Sequence, residues 1–227
     1  MSVLRTIVLV AAVAGAVAGL VLTALQHAST VPLILEAETY EAKAAPPDGA
    51  SATHDHGAEG WTPADGTERI AYTTLANVVG AIGLALLLVA LGEIAGGIVG
   101  WRQGMFWGMA GFAAFTLAPS LSLPPELPAM AAVDLIDRQI WWVATVVLTA
   151  GGLALIVFRP ALWAAALGIA LIVAPHVVGA PQPAGFETPV PHHLAQRFIA
   201  GVVVSGFVFW VLLGGLAGFV RSRLTAS

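Results

Sequence analysis

The chain has 227 residues, of which 58% are hydrophobic and only 10% charged, with a net charge of −4, no cysteine and a mean hydropathy of +0.88. An ordinary soluble domain carries about 25% charged residues, so that class is excluded. The lack of cysteine removes disulfides, thiolate metal ligands and iron–sulfur chemistry, and no basic patch is large enough for nucleic acid.

Six apolar runs lie near 6–25, 71–92, 104–121, 140–158, 161–178 and 198–220. Each reaches or approaches the roughly 17–25 residues that a helix needs to cross hydrocarbon. The runs do not alternate as barrel strands do, and lipid admits only backbones satisfied internally. The expected fold is therefore all-α: a polytopic helical membrane protein with about six transmembrane helices in a single domain.

The first run follows Arg5 and ends among small residues, as a signal peptide does. Its apolar length exceeds the usual signal core of about 7–15 residues, so it reads as a retained span. Gly15 and Gly19 stand four apart. That spacing lets another helix approach closely, although a chain rich in Gly and Ala offers such pairs by chance.

Residues 27–70 form a polar stretch. With Gln26 it contains eight of the thirteen carboxylates and three of the six histidines, His27, His54 and His56. Residues 43–67 read as flexible, with Trp61 as the one large group able to dock. The connectors after the third and fifth runs resemble each other. Ala118-Pro119 precedes Pro124, Pro125 and Pro128, and Ala174-Pro175 precedes Pro181, Pro183, Pro189 and Pro191. Such proline-rich segments are stiff and largely extended. Arg69, Arg138 and Arg197 each open the following run, which suggests three repeated helix hairpins. The plain alternative is prolines that stop helices and arginines that anchor them. If the repeat holds, Asp65 or Glu68 pairs with Arg69, Asp134 or Asp137 with Arg138, and Glu187 with Arg197.

Basic residues orient the chain. Arg5, Arg102, Arg159, Arg221 and Arg223 fall on one side, on much shorter segments than Lys43, Arg69, Arg138 and Arg197 on the other. The positive-inside rule then puts both termini in the cytoplasm of an inner membrane. Tyr72, Trp141 and Trp142 mark outer span ends, and Trp101, Trp107 and Trp163 inner ones. All six histidines and twelve of thirteen acids then lie outside, Glu93 being the exception.

This shared face of imidazole and carboxylate suits late first-row divalent ions. The candidate metal-handling residues are His27, Glu36, Glu38, His54, His56 and His176. His54-Asp55-His56 places two imidazoles beside a carboxylate, or is simply a solvated His-x-His. His27 and His176 stand at outer span ends, as ion-path mouths or as interfacial histidines. His192 and His193 are adjacent, about 100° apart on a helix, so one at most faces a shared site. Glu93, as an acid near a span end, is either functional or a surface partner of Arg102. Met105 and Met109 read as packing. Neither a Gly-x-x-x-x-Gly-Lys-Ser/Thr phosphate loop nor a His-Glu-x-x-His zinc motif is present.

Several ordered pieces carry a family likeness. Val31–Glu38 follows the first run, and Trp61–Arg69 closes the polar stretch. Leu117-Ala118-Pro119, Pro124–Pro128, Arg138-Gln139 with Trp141-Trp142, Ala174-Pro175-His176 and Gly179–Pro183 come after. Together they resemble the CbtA family of predicted cobalt transporter subunits over nearly the whole chain. The resemblance implies cobalt uptake supplying cobalamin synthesis, and a small one-span partner of the CbtB type with a His-rich end. The resulting expectation is a non-enzymatic transporter subunit with no permanently bound cofactor, carrying cobalt(II). Nickel(II) or another divalent metal is the first alternative. A non-transporting membrane scaffold, binding a partner through the 27–70 loop, is the second.

Overall fold

The computed structural model describes residues 2–44, 63–64, 66–183, 185 and 187–225, and every regular element among them is helical. In order they are α1 (Val3–Ser29), α2 (Val31–Ala44), α3 (Thr67–Ile94), α4 (Trp101–Phe112), a π-helical turn (Ala113–Leu117), α5 (Ala118–Ser122), α6 (Leu135–Phe158), α7 (Leu162–Val178) and α8 (His192–Thr225). Four of these helices, and the continuous run Trp101–Ser122, are long and apolar enough to cross a membrane; α7 is a shorter apolar helix of 17 residues. Large apolar side chains such as Ile94, Leu162 and Val178 point outward, more than 80% exposed. Hydrocarbon accepts such a surface and water does not. The chain is an all-helical polytopic membrane protein.

Local chemistry sets the helix boundaries. Ser2 Oγ accepts from Arg5 N (3.4 Å) to open α1. Asp134 Oδ1 accepts from the amides of Ile136 (2.9 Å) and Asp137 (3.2 Å) to open α6, the usual cap of orphan donors. Pro32, which lacks an N–H, separates α1 from α2 at Thr30. Residues 31–44 of the polar stretch are thus helical, and His27 still belongs to α1. Pro119 explains the π-helical turn: it cannot donate to Phe115, and its ring crowds that carbonyl. The preceding turn widens instead, with Ala118 N donating to Ala113 O.

Small residues decide which helices meet. A Cβ on Gly15 or Gly19 would stand 2.5 Å and 2.7 Å from the Cα atoms of Ile82 and Val78, so α1 and α3 touch backbone to backbone. Gly104 and Gly108 of α4 lie against the α8 backbone at Gly214 and Trp210. A Cβ on Gly152 of α6 would stand 2.5 Å from Gly168 O of α7, and one on Gly168 2.6 Å from Gly152 O. Close approach of this kind drives helix association in lipid. The main core, including Val10, Leu88, Phe112, Trp210 and Leu213, joins α1, α3, α4 and α8. The α6–α7 pair stands beside it, linked chiefly through α5 and the π turn, where Trp142 meets Phe115 edge-on at 5.9 Å.

This pairing differs from three equivalent hairpins. The first expected hairpin, α1 with α3, packs closely; α4 and α6 barely meet, and α7 makes no substantial contact with α8. The matched glycine faces of α4 with α8 and of α6 with α7 override sequence adjacency.

At the end of the bundle bearing α2, a second small core forms. Leu33 and Ala37 of α2 pack with Leu127 and Val190 of the connectors and with Leu194 and Phe198 of α8. Thr188 Oγ1 donates to Ala129 O at 3.2 Å, joining the two proline-rich connectors. Ala129 itself has φ 64°.

The expected arginine pairs fare differently. Arg69 binds Glu38 at 2.5 Å, while Glu68 accepts from the Ala64 amide at 3.1 Å and Asp65 lies outside the described residues. Arg138 binds Glu126 at 2.8 Å, because Asp134 is committed to capping α6. Arg197 is exposed, and no pair with Glu187 forms. Glu93 binds Arg221 rather than Arg102, whose guanidinium lies 5.3 Å from the Trp101 ring.

Candidate functional site

The two proline-rich connectors cannot zip together as a sheet, since proline withholds donors. Between them lies a cavity of about 180 Å³, lined among others by Ser122, Glu126, Met130, Gln182 and Thr188. Glu126 is fixed there by Arg138, and its side chain is only 17% exposed. Met130 Sδ accepts from Leu127 N at 3.4 Å.

Ser122, where α5 ends, connects the cavity to the helices below. Its Oγ lies 2.8 Å from His176 Nδ1 of α7. The His176 ring in turn stands edge-on to Trp141 of α6, with centroids 6.2 Å apart and planes at 72°. His176 Nε2 and Trp141 Nε1 are both buried with no hydrogen-bond partner, and so is Thr149 Oγ1. A buried polar atom left unpaired costs about 1–3 kcal/mol, which sets these three atoms apart from the other buried polar groups. In the tautomer whose Nδ1–H donates to Ser122 Oγ, Nε2 presents a lone pair. An oriented imidazole of this kind is how proteins hold histidine for a metal.

The other expected site residues lie elsewhere. His27 Nδ1 is 2.9 Å from Thr23 O. Only a ring N–H can pair with a carbonyl, so Nδ1 carries the hydrogen and Nε2 is left as acceptor. Glu38 is held by Arg69, and Glu36 is exposed on α2. His54 and His56 lie outside the described residues. His27 sits on α1, which packs on α2, α3 and α8, whereas α7 packs on α6 and α5; the helices carrying His27 and His176 make no substantial contact. Among the described residues, no three His, Asp or Glu side chains gather as a metal cluster.

Ser122, Glu126, Gln182 and Trp141 were not among the candidate metal-handling residues; Trp141 was read as a span-end marker, and Glu126 and Gln182 entered only within family-like pieces. The likeness of the two Ala-Pro connectors was the usable signal, because the cavity lies between those segments. A second polar network also escaped notice. Asn77 Nδ2 donates to Thr23 Oγ1 (3.0 Å) and to Gln26 Oε1 (2.7 Å), tying α3 to α1 near His27.

A family model described as "Probable cobalt transporter subunit (CbtA)" matches residues 4–222. Comparisons with curated proteins and with solved structures gave no match.

Proposed function

Because the chain belongs to the CbtA family of probable cobalt transporter subunits, we propose that it takes up cobalt(II) through the cavity between its proline-rich connectors. The observation that carries this reading is the Ser122-held His176, its Nε2 free, directly behind that cavity. Glu126, its charge shared with Arg138, supplies carboxylate oxygen at the cavity wall, and Gln182 and Thr188 supply neutral oxygen. Imidazole with oxygen ligands suits cobalt(II) and nickel(II) alike, so the donor set does not separate them. The donors do not form a closed cage, which fits an ion that must leave again. His27, Glu36, Glu38, His54 and His56 serve earlier capture at the same membrane face.

Both termini lie in the cytoplasm of the inner membrane in this reading, because the short segments carry Arg5, Arg102, Arg159, Arg221 and Arg223. A small one-span subunit of the CbtB type assembles with the chain, and the imported cobalt supplies cobalamin synthesis. The test is radiolabelled cobalt(II) uptake into proteoliposomes holding the chain with that subunit, with nickel(II) as competitor. His176→Ala should lower uptake by about 10-fold or more, as loss of a metal-orienting group does. Wild-type uptake by that variant would remove His176 from the path. Partner binding without uptake of either metal would favour scaffolding.

A further inference from the structure

We propose that the transported cation passes inward along the α6–α7 interface, over Trp141, Thr145 and Thr149, and not through the core of α1, α3, α4 and α8. This rests on the uptake reading above and extends it from the outer cavity into the membrane.

Trp141, Thr145, Thr149 and Gly152 are buried on α6 and fall on one helical stripe. Both ends of the stripe meet α7: Trp141 meets His176, and Gly152 meets Gly168. Thr145 and Thr149 therefore face α7 between those contacts, spread over about 12 Å of helix from Trp141. Thr145 is fully buried, its hydroxyl donating to Trp141 O at 2.9 Å. Thr149 makes no such bond, although a carbonyl four residues back is the usual resort of a helical threonine. On α7, Pro175 is buried and has no N–H to offer, so the Leu171 carbonyl loses its helical donor.

All the buried side-chain atoms without partners among the described residues, Trp141 Nε1, Thr149 Oγ1 and His176 Nε2, belong to this one interface. The main core differs. Its helices α1 and α8 also bury Thr6, Thr23 and Ser205, but each hydroxyl donates to a backbone carbonyl, and Asn77 donates to Thr23 and Gln26. Oxygen and imidazole groups along one helix seam offer successive ligands to an ion shedding water. The seam is closed in the structure, ending where the Gly152 and Gly168 backbones meet. Passage requires α7 to move from α6, and among the described helices the other substantial contact of α7 is with α5.

The chain has no native cysteine, so single-cysteine variants in the assembled transporter read water access against the signal of the unchanged chain. Thr149→Cys should react with a small, membrane-impermeant methanethiosulfonate reagent while cobalt is being transported. Ala18→Cys in the α1 core and Val147→Cys on the outward face of α6 should not. Thr149→Val keeps the side-chain shape and should lower uptake about 10-fold, near the worth of one contact to a charge, while Thr149→Ser retains uptake. The route is overturned if Thr149→Cys reacts no faster than Val147→Cys, or if Thr149→Val transports like the wild type. Labelling of Thr149→Cys in a protein that carries nickel(II) but not cobalt(II) would keep the route and overturn the cobalt reading.

Discussion

Removing the Arg221 side chain should expose how the ends of α3 and α8 are fastened. Arg221 forks onto the Glu93 carboxylate, with Nη2 donating to Oε2 at 2.9 Å and Nε to Oε1, while Nη1 donates to Ile98 O at 3.0 Å. The side chains of Arg221 and Glu93 are only 16% and 18% exposed. Gly97, at φ 90°, leaves the space that the guanidinium fills. In Arg221→Met, Glu93 keeps its charge without a partner and Ile98 O loses a donor. An exposed pair contributes about 0–1 kcal/mol, and breaking a fully buried one costs about 3–5 kcal/mol. The intermediate cover here predicts a loss of about 2–3 kcal/mol, between those limits. Glu93→Leu combined with Arg221→Met should cost less than the two single changes summed, by about 1–3 kcal/mol. Reversible unfolding in mixed micelles, followed by tryptophan fluorescence, measures all four proteins of the cycle. Additivity within about 0.5 kcal/mol, as seen for independent sites, would refute the coupling.

Three further outcomes follow from local geometry. Asp134→Ala should destabilise the protein by about 1 kcal/mol through loss of the α6 cap, read as a lower unfolding midpoint. Ala129→Gly should raise that midpoint by about 1–3 °C, since glycine adopts a positive φ without the penalty that alanine meets. Gly15→Leu should separate α1 from α3, because its side chain would enter the backbone at Ile82; a disulfide between cysteines placed at Ala14 and Ala81 should then form more slowly than in the otherwise unchanged protein.

The apolar runs sufficed for the all-helical membrane architecture, because hydrocarbon leaves the backbone few alternatives. Gly15 and Gly19 were legible as a contact face, and α3 meets them. The partnership of Gly104 and Gly108 with Gly214 was not, since a small-residue face states that something approaches but not which helix. The partner of Arg138 was misjudged for a related reason. Neighbours in sequence were favoured for Arg138, yet Asp134 was already spent on helix capping and Glu126 reached across a turn. His176 stood out by its place at a span end. Its association with Ser122 depends on a proline-widened turn and on how α5 meets α7, and neither has a local signature.

The central place of α8 bears on how the protein is made. The helix packs on α1, α2, α3, α4 and the π turn, yet it leaves the ribosome after all of them. The α1–α3 contact is nearly local and is available early in synthesis. The glycine face of α4 must wait, inserted in the membrane and uncovered, until α8 has been threaded in, a delay that long-range contacts impose on any chain. A nascent chain halted before His192 would be lodged in the bilayer but open along α4, a substrate for membrane proteases. Closure of the bundle thus reports that synthesis has passed α8.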